Sequence, residues 1–206
     1  TGSKATNYNI VQPTVTGTIN KATLTVAANN QSMTYGGTLP TLTETVTGYV
    51  NGETSSVIGG TPTATTSASS TTNAGTATIT SSVTGLTATN YNFVTGSNAI
   101  LTINKANLTI TANSTSKTYG QTLTFAGSEF GTSGLVNSDS VTSVTLTSAG
   151  AAATATVAGS PYTITPSAAV GNGLSNYTIG YSNGTLTVNK ANLTITANST
   201  SKTYGQ

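Results

Sequence analysis

Along most of the chain, apolar side chains fall at every second position, with threonine or another small polar residue between them. Leu108 and Ile110 alternate with Thr109 and Thr111, and Tyr162 and Ile164 with Thr163 and Thr165. Tyr177, Ile179 and Tyr181 form a third set, Leu186 and Val188 a fourth, and Leu123 and Phe125 a short pair after Tyr119 and Gly120. The first half repeats the scheme at Leu24 and Val26, Val46, Ile79, Tyr91 and Phe93, and Leu101 and Ile103. A period of two puts apolar groups on one face of a strand and polar groups on the other. The pattern therefore predicts a mainly β fold. Two segments depart from it. In residues 136–144, VNSDSVTSV, Asn137 suits an N-cap, Asp139 suits a first turn, and Val141 and Val144 stand three apart. Residues 50–58, VNGETSSVI, are the counterpart, with Asn51, Glu53 and Val57. Each predicts a short helix with its acid near the positive end of the helix dipole. Two strands, a short helix and three further strands give each unit an α+β, β-grasp-like order.

The pattern is also periodic on a longer scale. Residues 104–121 reappear unchanged as 189–206, and 20–37 are a looser copy. The copies start at Asn20, Asn104 and Asn189. A period of about 85 residues is a small domain rather than a solenoid turn. Residues 1–20 match the end of a unit, 21–104 and 105–189 are full units, and 190–206 open another, so the chain reads as a window on a longer array. The last strand of one unit runs into the first strand of the next across Asn20, Lys21 and Ala22, across Asn104, Lys105 and Ala106, and across Asn189, Lys190 and Ala191. No flexible Gly/Ser- or Pro-rich hinge intervenes. An extended run of about 13 residues spans on the order of 40 Å, which predicts units chained end to end into a rod with an axial repeat of that length.

Composition narrows the function classes. Charged residues are 5% of the chain, against about 25% in ordinary domains. So low a charge is unlike the charge-rich disordered segment, and threonine suits half-exposed strands. The net charge of +2 is too small to point to nucleic acid or an anionic membrane as partner. This composition class leads us to expect an extracellular or cell-surface location.

Candidate chemistry is sparse. The chain has neither His nor Cys, so it offers no imidazole base and no thiolate. Its four acids are Glu44, Glu53, Glu129 and Asp139, two per unit at related places. They read as surface charges and helix-start acids rather than as an active site. A Ca²⁺ site would need more clustered oxygen ligands, so neither metal nor cofactor is expected. Lys21, Lys105 and Lys190 recur at the junctions as solvated strand-end residues that discourage wrong edge pairing. A Lys–Asn isopeptide cross-link there would require a buried acid beside the pair. Tyr35, Tyr119 and Tyr204, each before a glycine, read as turn-plus-core residues, and Tyr8, Tyr91 and Tyr177 as core anchors. Asn-x-Ser/Thr triplets at Asn30, Asn107, Asn113, Asn176, Asn183, Asn192 and Asn198 follow from the abundance of threonine and serine, with glycosylation the minor alternative.

The NKA-x-LTITAN…SKTYGQ opening, the central YVNGET and LVNSDS, the TNYNF and SNYTI segments and the closing GTLTVNKA resemble MBG (mirror β-grasp) repeats, including the YGX type. The resemblance covers nearly the whole chain. One departure is GSEFGTSG at residues 127–134, which replaces the simpler TETVTG at 43–48. The resemblance implies tandem domains of large secreted surface proteins of Gram-negative bacteria, often filamentous-haemagglutinin-like adhesins exported by two-partner secretion. Their implied role is adhesion, surface filaments or biofilm matrix, without catalysis. The expected partners are neighbouring repeats of the same chain and other rods by lateral self-association. A glycan or matrix protein is the partner under the alternative reading as a binding module.

Overall fold

The computed structural model describes residues 7–9 and 11–206. The segment 1–20, read as the end of a preceding repeat, thus lies partly outside the described residues. The first repeat contains β1 (Ala22–Ala28), β2 (Gln31–Thr34), β3 (Glu44–Thr47), β4 (Thr63–Thr65), β5 (Gly75–Ser82), β6 (Tyr91–Thr95) and β7 (Ala99–Asn104). The second contains β8 (Ala106–Ala112), β9 (Thr115–Thr118), β10 (Phe130–Ser133), β11 (Ser140–Thr147), β12 (Tyr162–Asn172), β13 (Tyr177–Ser182) and β14 (Gly184–Asn189). Each repeat builds the same pair of sheets. The three-stranded sheets run β3-β1-β6 and β10-β8-β13, and the four-stranded sheets run β4-β5-β7-β2 and β11-β12-β14-β9. In each three-stranded sheet the central strand pairs antiparallel with one neighbour and parallel with the other. The parallel partner comes from the far end of the repeat, so the sheet ties the repeat's start to its finish.

The alternation read from the sequence is the alternation of burial. β8 buries Ala106, Leu108, Ile110 and Ala112 and turns the residues between them to solvent, and β14 buries Gly184, Leu186 and Val188 in the same way. By packing, the chain divides into two compact units that do not coincide with the repeats. One comprises Thr1–Gln31, Thr41–Thr66 and Thr78–Ile100, and the other Ser32–Pro40, Ser67–Ala77 and Leu101–Gln206. The first unit's core holds Leu24, Val26, Ile79 and Tyr91. The second's holds Leu108, Ile110, Val144, Ile164, Tyr177, Leu186 and Val188, together with Met33 and Tyr35 from the first repeat. Each fully buried aliphatic side chain of this kind contributes roughly 1.5–3 kcal/mol.

Neither expected helix forms. Asn137 and Ser138 both take positive φ (54° and 64°), and the Asp139 N–H closes onto the Val136 carbonyl at 3.0 Å. Asn51 and Gly52 repeat this at 56° and 74°, with Glu53 N–H bonded to Val50 O at 3.1 Å. Two consecutive left-handed residues closed by such a bond are the pattern of a type I′ turn, for which Asn-Gly is the preferred dipeptide. The asparagine that suits a helix cap suits this turn better. Beyond it, residues 140–147 form β11, in which Val144 and Leu146 alternate inward. In the first repeat the same stretch makes only a single 3-10 turn, Ser55–Val57, before the short strand β4. Glycines at 59 and 60 and Pro62 stand ahead of β4 and limit its pairing. The expected pair Leu123 and Phe125 also lies outside any strand, half-buried, with the Leu123 N–H on Ala151 O at 2.9 Å.

The departure at 127–134 leaves the register unchanged. Phe130–Ser133 face Ala112 back to Thr109, as Glu44–Thr47 face Ala28 back to Thr25. The extra residues are taken up before β10, where the Glu129 carboxylate folds back to accept the N–H groups of Ala126 (2.9 Å), Gly127 (2.9 Å) and Ser128 (3.1 Å). These bonds, that from Ala126 foremost, hold its carboxyl below the usual range.

Candidate functional site

The most concentrated polar chemistry surrounds Asp139. The Val136–Asp139 turn places this carboxylate against Tyr177, the first residue of β13. The Tyr177 hydroxyl accepts the Val136 N–H at 2.9 Å and donates to Asp139 Oδ2 at 2.8 Å. Burial pushes the Tyr177 phenol above its ordinary range, and the Asp139 contact acts in the same direction against the lowering by the Val136 backbone. The first repeat has the same pair. There the Tyr91 hydroxyl accepts the Val50 N–H at 3.1 Å and donates to Glu53 Oε2. The Glu53 bond is the main reason the Tyr91 phenol is raised. The acids expected at helix starts are thus the acceptors for the two buried anchor tyrosines.

Around Asp139 a further set of groups converges, all within the second compact unit. Tyr35, from the loop after β2, donates its hydroxyl to the same Asp139 Oδ2 at 2.9 Å. Its ring meets the Tyr177 ring edge-on, with centroids 5.7 Å apart at 84°. Gly36 follows at φ 77°, and a Cβ built there would lie 2.3 Å from Val136 Cγ2, so only glycine fits against that side chain. The Asn137 amide donates to Ser70 O at 2.8 Å. Asn176, 3% exposed, accepts the Ala74 N–H at 2.9 Å and donates to Asn73 Oδ1 at 3.1 Å. The Tyr-Gly turn is itself held by main-chain bonds, Tyr35 N–H to Asn104 O at 2.9 Å and Gly36 N–H to Ser70 O at 3.0 Å. The arrangement is a clasp in which a turn and a loop of the first repeat fill a socket on the second.

The expected site residues distribute unevenly over this arrangement. Asn104 ends β7 and supplies the carbonyl that holds Tyr35, as Asn189 ends β14 and holds the Tyr119 N–H at 2.9 Å. Lys105 alone separates β7 from β8, and Ala106 opens β8 as a buried residue. Lys21 donates to Ala88 O at 3.0 Å, and Asn20, Lys21 and Ala22 border a cleft. Lys190 and Ala191 are exposed. No carboxylate pairs with a junction lysine among the described residues, and these hold no group of three or more His, Cys, Asp or Glu placed to bind a metal. No helix among them is long and apolar enough to cross a membrane. Tyr35, Tyr91 and Tyr177 are buried as expected, whereas Tyr8, Tyr119 and Tyr204 are exposed.

Sequence reasoning missed Asn73, Ser70 and the structural role of Asn176, which it met only as part of a glycosylation triplet. It also missed Lys117, buried in β9 with its ammonium on the carbonyls of Gln121 (2.7 Å) and Ala152. The first repeat has Met33 at that place, and repeat alignment is the signal that would have shown a buried slot.

The family model of the MBG domain, YGX type, matches residues 24–102 and again residues 108–187. No curated protein and no solved structure matches the chain.

Proposed function

The chain belongs to the MBG domain family of the YGX type, in two tandem copies, and from that premise we propose that it is a structural segment of an extracellular filament or adhesin stalk. In this reading its repeats project a tip or build a surface fibre, and no catalytic step is involved. The observation that carries the proposal is the clasp. The chemistry of the buried tyrosine, the acid and the two asparagines is spent on fastening one repeat to the next. The two repeats are then joined by a single connecting residue, Lys105, and by a second set of contacts at Asp139 and Asn176. Repeat arrays of this kind gain stability from neighbour interfaces as well as from each unit's own core, and small domains benefit most.

Under the alternative reading as a glycan-binding module, an exposed aromatic group should recur at one place in every repeat. Tyr119 and Tyr181 are exposed in the second repeat, yet the first-repeat counterpart of Tyr119 is the buried Tyr35 and that of Tyr181 is Thr95, which is not aromatic. The structural reading is tested by electron microscopy of the native surface material. Fibres with a regular axial spacing are the expected result. Beads without fixed spacing, together with glycan retention by the purified chain, would replace it with the binding module.

A further inference from the structure

Two pairs of strands in the second repeat, all within the second compact unit, form one ladder. β8 lies parallel to β13 from Ala106 opposite Tyr177 to Thr111 opposite Ser182. β9 lies parallel to β14 from Thr115 opposite Leu186 to Thr118 opposite Asn189. The two stretches belong to different sheets, yet they keep one offset of 71 residues, which also relates Ser114 to Thr185 at the bend between them. There the Ser114 hydroxyl oxygen accepts the Thr185 N–H at 3.0 Å. Gly184 lets the strands approach closely at the bend, since a Cβ on it would lie 2.6 Å from Ala112 O. Residues 106–118 and 177–189 are therefore two long bent strands that run side by side in the same direction.

The chain enters and leaves this ladder at opposite ends. Lys105 precedes Ala106 at one end, and Lys190 follows Asn189 at the other. Each half contains a strand held from both sides, β8 between β10 and β13, and β14 between β12 and β9. The edge strand β9 is pinned by Lys117, which stands opposite Val188 and whose buried ammonium holds the Gln121 and Ala152 carbonyls. Tension between Lys105 and Lys190 pulls two parallel strands in opposite directions along their length. The ladder then has to slide, and its evenly spaced hydrogen bonds resist together instead of opening one after another.

We propose that the repeat is a mechanical clamp, which holds tension between its two junctions through this parallel ladder. The first repeat begins in the same way, with β1 parallel to β6 from Ala22 opposite Tyr91 to Val26 opposite Thr95. At its bend Asn30 takes the place of Ser114, and its side-chain oxygen accepts the Ile100 N–H at 2.8 Å. Both strands of the ladder belong to one repeat, so the clamp is complete without its neighbours. It is a property of the single repeat and holds for a stalk and for a binding module alike.

Single-molecule force spectroscopy of the 206-residue chain tests it. The chain has no cysteine, so paired thiol handles can be placed at will. Lys105→Cys with Lys190→Cys loads the ladder in sliding. Lys105→Cys with Ser175→Cys loads it from the end where Ala106 meets Tyr177 and peels it. All three positions are exposed, and circular dichroism should be unchanged. Forced unfolding follows the unfolding barrier rather than the equilibrium stability, so sliding should need at least about twofold more force than peeling at the same loading rate. The sliding step should release on the order of 250 Å of chain. Lys117→Met, which installs the first repeat's residue, should lower the sliding force and leave the peeling force, set at the other end of the ladder, unchanged. Equal forces in the two geometries, or a Lys117→Met loss shared by both, overturn the clamp and leave the filament reading to microscopy. Beads without fixed spacing, together with the expected force ratio, would remove the filament and leave the clamp.

Discussion

Two tyrosines at equivalent places, Tyr35 and Tyr119, differ in one respect that a single atom can report. The Tyr35 hydroxyl is buried on a carboxylate, whereas that of Tyr119 points from a half-exposed ring. A buried hydrogen bond to a charged group is worth about 1.5–3 kcal/mol, and Asp139 keeps its Tyr177 bond when the other donor is lost. Tyr35→Phe should therefore lower the unfolding free energy by about 1–2 kcal/mol in urea titrations. Tyr119→Phe at micromolar concentration should change it by less than about 0.5 kcal/mol. The same pairs set a pH dependence. Tyr91 and Tyr177 hold their protons more tightly folded than unfolded. Their contribution is thus complete below the unfolded tyrosine pKa of about 10 and is lost as pH climbs from there through the raised folded values. The urea midpoint should fall over that alkaline range, and Tyr177→Phe should flatten the fall relative to its own neutral-pH value.

At the scale of elements, the turn that displaced the expected helix offers its own check. Ser138 sits at φ 64°, where the first repeat has Gly52 at φ 74°. A left-handed conformation costs a non-glycine residue roughly 1 kcal/mol. Ser138→Gly should therefore stabilise the chain by about 0.5 kcal/mol, after glycine's greater freedom in the unfolded state is subtracted. Gly52→Ser should cost a similar amount, and paired urea curves would show both.

The same turn marks what was legible in the sequence. Period-two alternation located most of the core strands, because burial on one sheet face leaves that imprint directly. The helix expectation failed because asparagine followed by a small residue fits a cap and a type I′ turn alike, and the strand after it decides between them. Identical sequences illustrate the limit further. Residues 106–112 form β8 between β10 and β13, with Leu108 and Ile110 buried. The same residue types at 191–197 lack strand structure, with Leu193 85% and Ile195 86% exposed. Alternation gives a strand its face, and neighbouring strands make it a strand. The site was less legible still. Tyr35 was recognisable as a turn-plus-core residue and Tyr177 as a core anchor, but Asp139 lies 104 residues from Tyr35, and no local pattern pairs residues so far apart.

For the whole molecule, the decisive quantity is the coupling between repeats. Ser32–Pro40 and Ser67–Ala77 are first-repeat segments that pack with the second compact unit. Cutting the array at Lys105 would therefore divide a packed body rather than release a finished one. A double-mutant cycle measures this without a cut. Tyr35→Phe removes the donor, and Asp139→Asn keeps the shape of the acceptor and its bond from Tyr177 while removing its charge. If the two residues acted independently, as a bare covalent tether between repeats requires, their effects on the unfolding free energy would add within about 0.5 kcal/mol. Because both hydroxyls converge on one carboxylate oxygen, the expected coupling is about 1 kcal/mol. The same cycle between Tyr119 and Asp139 serves as the control, since Tyr119 occupies the corresponding place on the other repeat and meets no acid among the described residues, and it should show no coupling. A coupling near zero for Tyr35 would reduce the joint to the backbone at Lys105, and force on an array of such repeats would then be borne by the backbone alone. A coupling of the expected size means that each added repeat stabilises its neighbour as it lengthens the chain, as nearest-neighbour interfaces do in repeat arrays.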